Sequence, residues 1–196
     1  MFVHLNIHSV YSAMRGLLSL TDMIKIARSY SMNTLALTDV NGIWGFIRFV
    51  QHCNNSQIRP IAGVNLMTDT QEVVILVENQ YGYENLCRII SDVHDDQTKL
   101  ISDILKNYSS GLFVLSHDVS TLKALKCFIP DTHLFIELRP GMEESAMQKL
   151  AKDLKLEIVV TGDVYFNKQS DHISHTILCA IDHNTTLEKL DLPKCK

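Results

Sequence analysis

One unit recurs along most of this chain: a short run of Val, Ile, Leu or Phe, then an amphipathic stretch. The runs are Phe2 to Ile7, Thr34 to Thr38, Arg59 to Leu66, Glu72 to Val77, Gly111 to Ser116, His133 to Leu138 and Glu157 to Thr161. Short apolar runs of this kind are what strands covered on both faces look like. Between them lies helical spacing. Ser19 or Thr21 caps a helix carrying Met23, Ile24, Ile26 and Ala27, and Ile43 to His52 forms a second with Trp44, Ile47 and Phe49 apolar. Tyr83 to Val93, Thr98 to Tyr108, Ser120 to Lys126, Glu143 to Leu154 and Ser170 to Ile181 complete the set. Asp22 and the Glu143/Glu144 pair fall in first turns, where a carboxylate complements the helix dipole. Seven strands alternating with about seven helices predict repeated βαβ units and a parallel sheet, doubly wound or closed into a barrel.

At 196 residues and 46% hydrophobic, the chain suits a single domain with an ample core. Residues 1–184 are expected to form it, with the polar tail 185–196 a truncated end or the start of a further segment. No run approaches the ~18 apolar residues of a membrane span. No charged-then-apolar leader opens the chain, so a cytoplasmic location is expected. With 18 Lys+Arg against 22 Asp+Glu, there is no broad cationic footprint for nucleic acid. Cys53, Cys87, Cys127, Cys179 and Cys195 are odd in number, scattered and without a CxxC pair, which fits reduced thiols. Neither GxGxxG nor GxxxxGK[ST] occurs, so the usual phosphate-cradling loops are absent.

In parallel α/β folds the chemistry gathers at the carboxyl ends of strands. His4, Asn6 and His8 alternate, which places them on one face of the first run. The other polar run-ends are Thr38-Asp39, Asn65, Glu72, Ser116-His117-Asp118 and Thr161-Gly162-Asp163-Val164-Tyr165. His, Asp and Glu converging from several strand ends is how a metal site with oxygen and imidazole ligands is built. A strand-terminal Asp is as often the N-cap of the next helix, so Asp39 and Asp163 carry both readings. His172, His175 and His183 read as surface or packing residues, and Ser116-His117-Asp118, being consecutive, is not a triad.

The opening Phe2-Val-His-Leu-Asn-Ile-His8-Ser-Val-Tyr-Ser12, followed by Gly16, resembles the PHP (polymerase and histidinol phosphatase) domain, in the variant at the N-terminus of bacterial DNA polymerase III alpha subunits. That pattern runs F-x-H-L-H-x-H-S-x-Y-S-x-x-x-G. Further stretches resemble the family's in order: Leu35-Ala-Leu-Thr-Asp39, Ile58-Arg-Pro-Ile-Ala-Gly63, Asn79-Gln-Tyr-Gly82-Tyr83-Glu-Asn85-Leu86, Gly111-Leu-Phe-Val-Leu-Ser116, Phe135-Ile-Glu137-Leu138 and Val160-Thr-Gly-Asp163-Val164. The resemblance implies a distorted seven-stranded β/α barrel, TIM-like. It also implies a site that in intact members binds up to three metals with nine ligands and hydrolyses phosphoesters. Carried over residue by residue, the ligands His8, Asp39 and Asp163 remain, and Glu72 and Asp118 still offer oxygens. Asn6, Val40, Asn65 and Tyr165 stand where the family has ligands.

The resemblance therefore implies an N-terminal polymerase module with a degenerate metal site, a structural and docking part in DNA replication. The polymerase's own catalytic residues would lie outside this chain. Its partners would be the remainder of the polymerase chain, a proofreading exonuclease subunit and other replisome subunits, with DNA engaged through the parent protein and no membrane. No cofactor is expected beyond weakly held Mn, Zn or Mg, and Arg15, a lysine or protons are expected to stand in for lost metal charge. The alternative is a residual metal-dependent phosphoesterase or 3′–5′ exonuclease using His8, Asp39, Asp118 and Asp163, assisted by Glu72; it needs two or three metals within ~4 Å of one another.

Overall fold

The computed structural model describes residues 2–190. Helix α1, Leu20–Ser29, starts where the Ser19 hydroxyl accepts the Asp22 N–H, and buries Leu20, Met23, Ile24 and Ala27 at helical spacing. Strand β1 is Thr34–Leu37 and helix α2 is Phe46–Asn55. Strands β2, Arg59–Met67, and β3, Glu72–Val77, form a hairpin. Helices α3, Gln80–Asp95, and α4, Ile101–Tyr108, lead to β4, Leu112–Ser116. Helix α5, Val119–Leu125, β5, Leu134–Leu138, α6, Glu144–Leu154, and β6, Glu157–Val160, follow. A 3₁₀ turn over Gln169–Asp171 runs into α7, His172–Asp182.

The six strands lie side by side in chain order as one curled sheet. The β1/β2, β4/β5 and β5/β6 pairs are parallel, whereas β2/β3 and β3/β4 are antiparallel. The expectation of an all-parallel sheet is thus corrected at β3. Its cause is the link between β2 and β3, residues 68–71, which is too short for the crossover that parallel strands require.

The seven-strand expectation is corrected too. Phe2 to Ile7 is not a strand; it makes one parallel bridge, Ile7 to Val164. The Ile7 N–H goes to the Thr38 hydroxyl at 2.8 Å rather than to a neighbouring carbonyl, which interrupts the ladder. The segment is nevertheless tied on both sides. Ala36 N–H donates to His4 O and Thr38 N–H to Ile7 O, while His8 N–H donates to Val164 O and Val164 N–H to Asn6 O.

Most of the core lies outside the curl, where α3 to α6 pack on the sheet through Leu86, Ile89, Leu105, Leu122 and Leu134, all fully buried. A second cluster sits under α1 and α2, around Phe49, Leu35 and Cys53. Burial pushes the Cys53 thiol up to about 12, so it behaves as a small apolar group. The concave face holds a smaller plug, with Ala36, Val74, Leu76 and Leu115 packed by Leu5, Ile61, Phe113, Phe135 and Val159.

Two-residue alternation carries each strand from that plug to a polar mouth. Along β5 and just past it the alternation gives Phe135, Glu137 and Arg139; along β6 and past it, Val159, Thr161 and Asp163; on β3, running the other way, Leu76, Val74 and Glu72. On β2 the intermediate position is Gly63, whose missing Cβ would stand 2.8 Å from the Thr38 methyl and 2.6 Å from Ile75 O. The narrowness of the mouth's floor accounts for that glycine.

Candidate functional site

The mouth divides into two groups of acids. The first surrounds Arg139, which follows the last residue of β5. Its Nε donates to Glu137 Oε2 at 2.8 Å, Nη2 to Glu72 Oε1 at 2.7 Å and Nη1 to Asp163 Oδ2 at 3.3 Å. One planar fork thus meets three carboxylates, delivered by β3, β5 and the segment after β6. Glu137 is fully buried and Arg139 is 10% exposed, so solvent screens the pair weakly.

Neutral donors complete the shell. Thr161 Oγ1 donates to Glu137 Oε1 at 2.6 Å, Asn6 Nδ2 to the same oxygen at 3.0 Å and to Asp163 Oδ1 at 3.3 Å. Asn65 Nδ2 donates to Glu72 Oε1 at 2.8 Å. His8 Nε2 lies 3.1 Å from Asp163 Oδ1, and its ring stacks on Tyr165 with centroids 4.0 Å apart. His117 Nδ1 lies 3.8 Å from Glu137 Oε2.

The ionisation of these groups follows from their neighbours. Burial pushes the Glu137 carboxyl up, but His117, the Arg139 charge and the Thr161 bond outweigh it, and the net direction is down. Asp163 behaves alike: burial opposes, while the His8 bond and Arg139 prevail and lower it. Arg139 is penalised by burial, but Glu137, Asp163 and Glu72 raise its affinity for its proton further. Burial raises Tyr165 far above an ordinary phenol, so it serves as a neutral stacking face.

The second group is Asp39, fully buried a strand away. Its Oδ1 accepts from Ser9 N–H at 2.6 Å and Ser12 Oγ at 2.7 Å, and its Oδ2 from Ser9 Oγ at 2.8 Å. Ser12 Oγ accepts in turn from Val40 N–H. Asp39 therefore folds the 9–12 turn against β1. Asp118 is an N-cap: its side chain accepts the Thr121 N–H at 2.6 Å and the Ser120 hydroxyl.

Of the five residues expected to offer ligands, the structure brings His8, Glu72 and Asp163 together and leaves Asp39 and Asp118 in separate local networks. The four positions expected to have lost ligands all take part: Asn6 and Asn65 donate to the acids, Tyr165 stacks on His8, and Val40 contributes its backbone. Arg15 is not the cation among the acids; its guanidinium reaches Asp182 and the Met67 sulfur. Arg139 is. Sequence reasoning missed it, although Glu137 and Arg139, two apart at the end of an apolar run, already share a strand face.

A cleft of about 440 Å³ opens beside the cluster, lined by Met67, Gln71, Glu72, His117 and Asp118 among others. A more apolar cavity of about 360 Å³, lined by Leu18, Met23, Met32 and Phe166 among others, lies against α1. Among the described residues, no three His, Cys, Asp or Glu side chains are grouped as a metal ion would require. No helix among them is long and apolar enough to cross a membrane.

A curled α/β sheet with acids and imidazole at its mouth defines a class, and the family comparison agrees: the PHP domain model matches residues 4–166, so the chain belongs to the PHP family. Its relatives place it further. It is 29% identical over 222 residues to the DNA polymerase III subunit alpha of Buchnera aphidicola and 28% identical over 227 residues to that of Pasteurella multocida. These alignments take in 95% and 98% of this chain. The chain spans about a fifth of the length of these relatives. Among solved structures it resembles a putative metal-dependent phosphoesterase from Bifidobacterium adolescentis, with a TM-score of 0.57, 12% identity, and 84% and 87% of the two chains covered. At that identity the likeness speaks for the fold alone.

Proposed function

We propose that this chain is the N-terminal PHP module of a DNA polymerase III alpha-type replicative polymerase, catalytically inactive and serving as scaffold and docking surface. Residues 1–184 would form the module, acting in the cytoplasm as part of a longer polymerase chain that engages DNA. A proofreading exonuclease subunit and other replisome subunits are the partners this reading supplies. The observation that carries it is Arg139, hydrogen-bonded to Glu72, Glu137 and Asp163 at once.

Hydrolysis of a phosphoester by family chemistry needs metals that generate hydroxide and clamp the leaving oxygen. The residues present do not fit such a metal. A divalent ion among these acids would sit against a buried guanidinium, and the remaining Asp39 oxygens already accept from Ser9 and Ser12. Asn6 and Asn65 present amide N–H groups to the acids where a ligand set needs lone pairs.

The test is metal content together with hydrolysis. The chain is purified without chelator, incubated with Mn²⁺ and Zn²⁺, desalted and counted by mass spectrometry, then assayed on a phosphomonoester and on 3′-labelled DNA. Trace metal and no hydrolysis are expected. Two or more ions per chain, lost in a His8→Ala, Asp39→Ala double variant together with hydrolysis, would establish the phosphoesterase alternative instead.

A further inference from the structure

We propose that the cleft between Trp44 and α3 is a docking site for a basic, apolar-anchored segment of a partner protein, whose lysine or arginine lies on the indole and meets Asp95. The proposal rests on the docking role given to the module, and gives that role a surface and a ligand chemistry.

Three observations carry it. The first is exposed apolar surface. Of the apolar residues expected on the second helix, Phe49 is fully buried, but Trp44 and Ile47 are 65% and 64% exposed. Trp44, the single tryptophan of the chain, borders an open cleft of about 540 Å³. Ile43, Cys87 and Ile90 give the cleft its apolar lining, and His94 and Asp95 carry it along one side of α3 to the last residue of that helix. Large exposed apolar side chains beside a cleft mark an interaction site.

The second is that the tryptophan is held in place. A Cβ on Gly42 would stand 2.1 Å from Trp44 Nε1, so the indole lies directly against the Gly42 backbone. The His94 ring stands beside it, with centroids 5.9 Å apart, and His94 Nε2 lies 2.7 Å from Asn41 O. An indole fixed before binding loses little further freedom on binding, which is what an interface anchor needs.

The third is charge. Asp92 and Asp95 fall in the last turn of α3 and Asp96 caps it. The helix dipole favours cations at that end, so acids there cost stability. Asp96 is answered locally: it accepts from the Thr98 N–H and hydroxyl, and Lys99 acts on it. Among the described residues, Asp92 and Asp95 have no ion pair. The only basic group in the last turn, His94, is turned to Asn41. An indole face next to a carboxylate suits Lys or Arg, whose stem packs on the ring while its charge meets the acid. An acidic segment would bring like charge against Asp95.

The experiment uses the full chain and two synthetic peptides built alike, one of leucine and lysine, the other of leucine and glutamate. Neither peptide carries an aromatic residue, so indole emission reports Trp44 alone. The leucine–lysine peptide is expected to shift that emission to the blue and to shield it from acrylamide, with an affinity that falls as salt is added. Trp44→Ala, followed through a dye on the peptide, should bind about 30-fold more weakly, as truncation of an interface anchor does. Asp95→Asn should bind about fivefold more weakly, as loss of an exposed ion pair does. Both side chains are exposed, so both variants should melt with the wild type. Asp95→Lys should exchange the preference and favour the leucine–glutamate peptide. Equal binding of the two peptides to the wild type, binding that leaves Trp44 emission unmoved, or no binding of either overturns the proposal. So does a blue shift that grows with protein concentration alone and follows a dimer in sedimentation, which would give the cleft to a second copy. These outcomes bear on the cleft only; the non-catalytic reading stands or falls on metal content and hydrolysis.

Discussion

Two carboxylates at the same mouth, Asp39 and Asp163, both expected from the sequence to be remnant ligands, are held by opposite means. Asp39 is fully buried among neutral donors, an N–H and two hydroxyls from residues 9 and 12. Asp163 is partly exposed and shares a guanidinium and an imidazole with residues from the far side of the sheet. The first is kept because a turn folds around it, the second because a cation gathers it. A retained acid is therefore no sign of a retained metal: in one half of the mouth local backbone geometry explains it, and in the other an internal charge does.

The largest test of that contrast is Arg139→Met. It leaves an uncompensated buried acid cluster and should cost about 3–5 kcal/mol, read by denaturant unfolding. A loss below about 1 kcal/mol would show that the cluster does not depend on its cation.

Acid comes next, and it should act on the two halves differently. Glu137 and Asp163 are lowered in the fold, so the unfolded chain binds more protons than the native one on acidification. Their contribution is present above the ordinary carboxylate range and is lost as the pH falls through their lowered values. His175, lowered chiefly by burial, adds an earlier loss as the pH falls below its ordinary value of 6.5. Native stability measured from pH 7 to 3 should fall in both steps, and the second should shrink in Arg139→Met, whose acids are no longer held low. An unchanged lower step would remove Arg139 from the account.

Asp39→Asn sharpens the comparison from the other side. An amide retains an acceptor for the Ser9 N–H, and the serine hydroxyls rotate to suit, so the cost should stay near 1 kcal/mol. The smallest effect among the acids belongs to Asp118→Ala, a lost N-cap on α5 worth about 1 kcal/mol or less. Its signature is early exchange of the α5 amides with no change at the mouth.

Six of the seven apolar runs became strands with bounds within a residue or so of those read from the sequence, because strand burial writes itself into composition. What the sequence did not carry was direction. Glu72 to Val77 reads the same whichever way it runs, and only the brevity of residues 68–71 turns it around. Phe2 to Ile7 reads as a strand and is placed like one, but the Thr38 hydroxyl takes one of its ladder bonds. The candidate ligands were named one at a time, through resemblance. Their grouping was not, since it depends on Arg139 reaching across to Glu72 on another strand, and no pattern within one run encodes that.

The tying of residues 4–8 between β1 and the stretch around Val164 has a consequence for synthesis. During synthesis Asn6 and His8 emerge well ahead of their partner Asp163, which lies 157 and 155 residues further on. At roughly 5–20 residues per second the opening segment waits about 10–30 seconds for the other side of its seam. During that interval the outer layers around β2 to β5 can assemble from nearer neighbours, as local contacts close first. The mouth thus takes shape only after the sheet, and a nascent chain stopped before residue 163 would hold helices α1 to α6 and the six strands but an open seam.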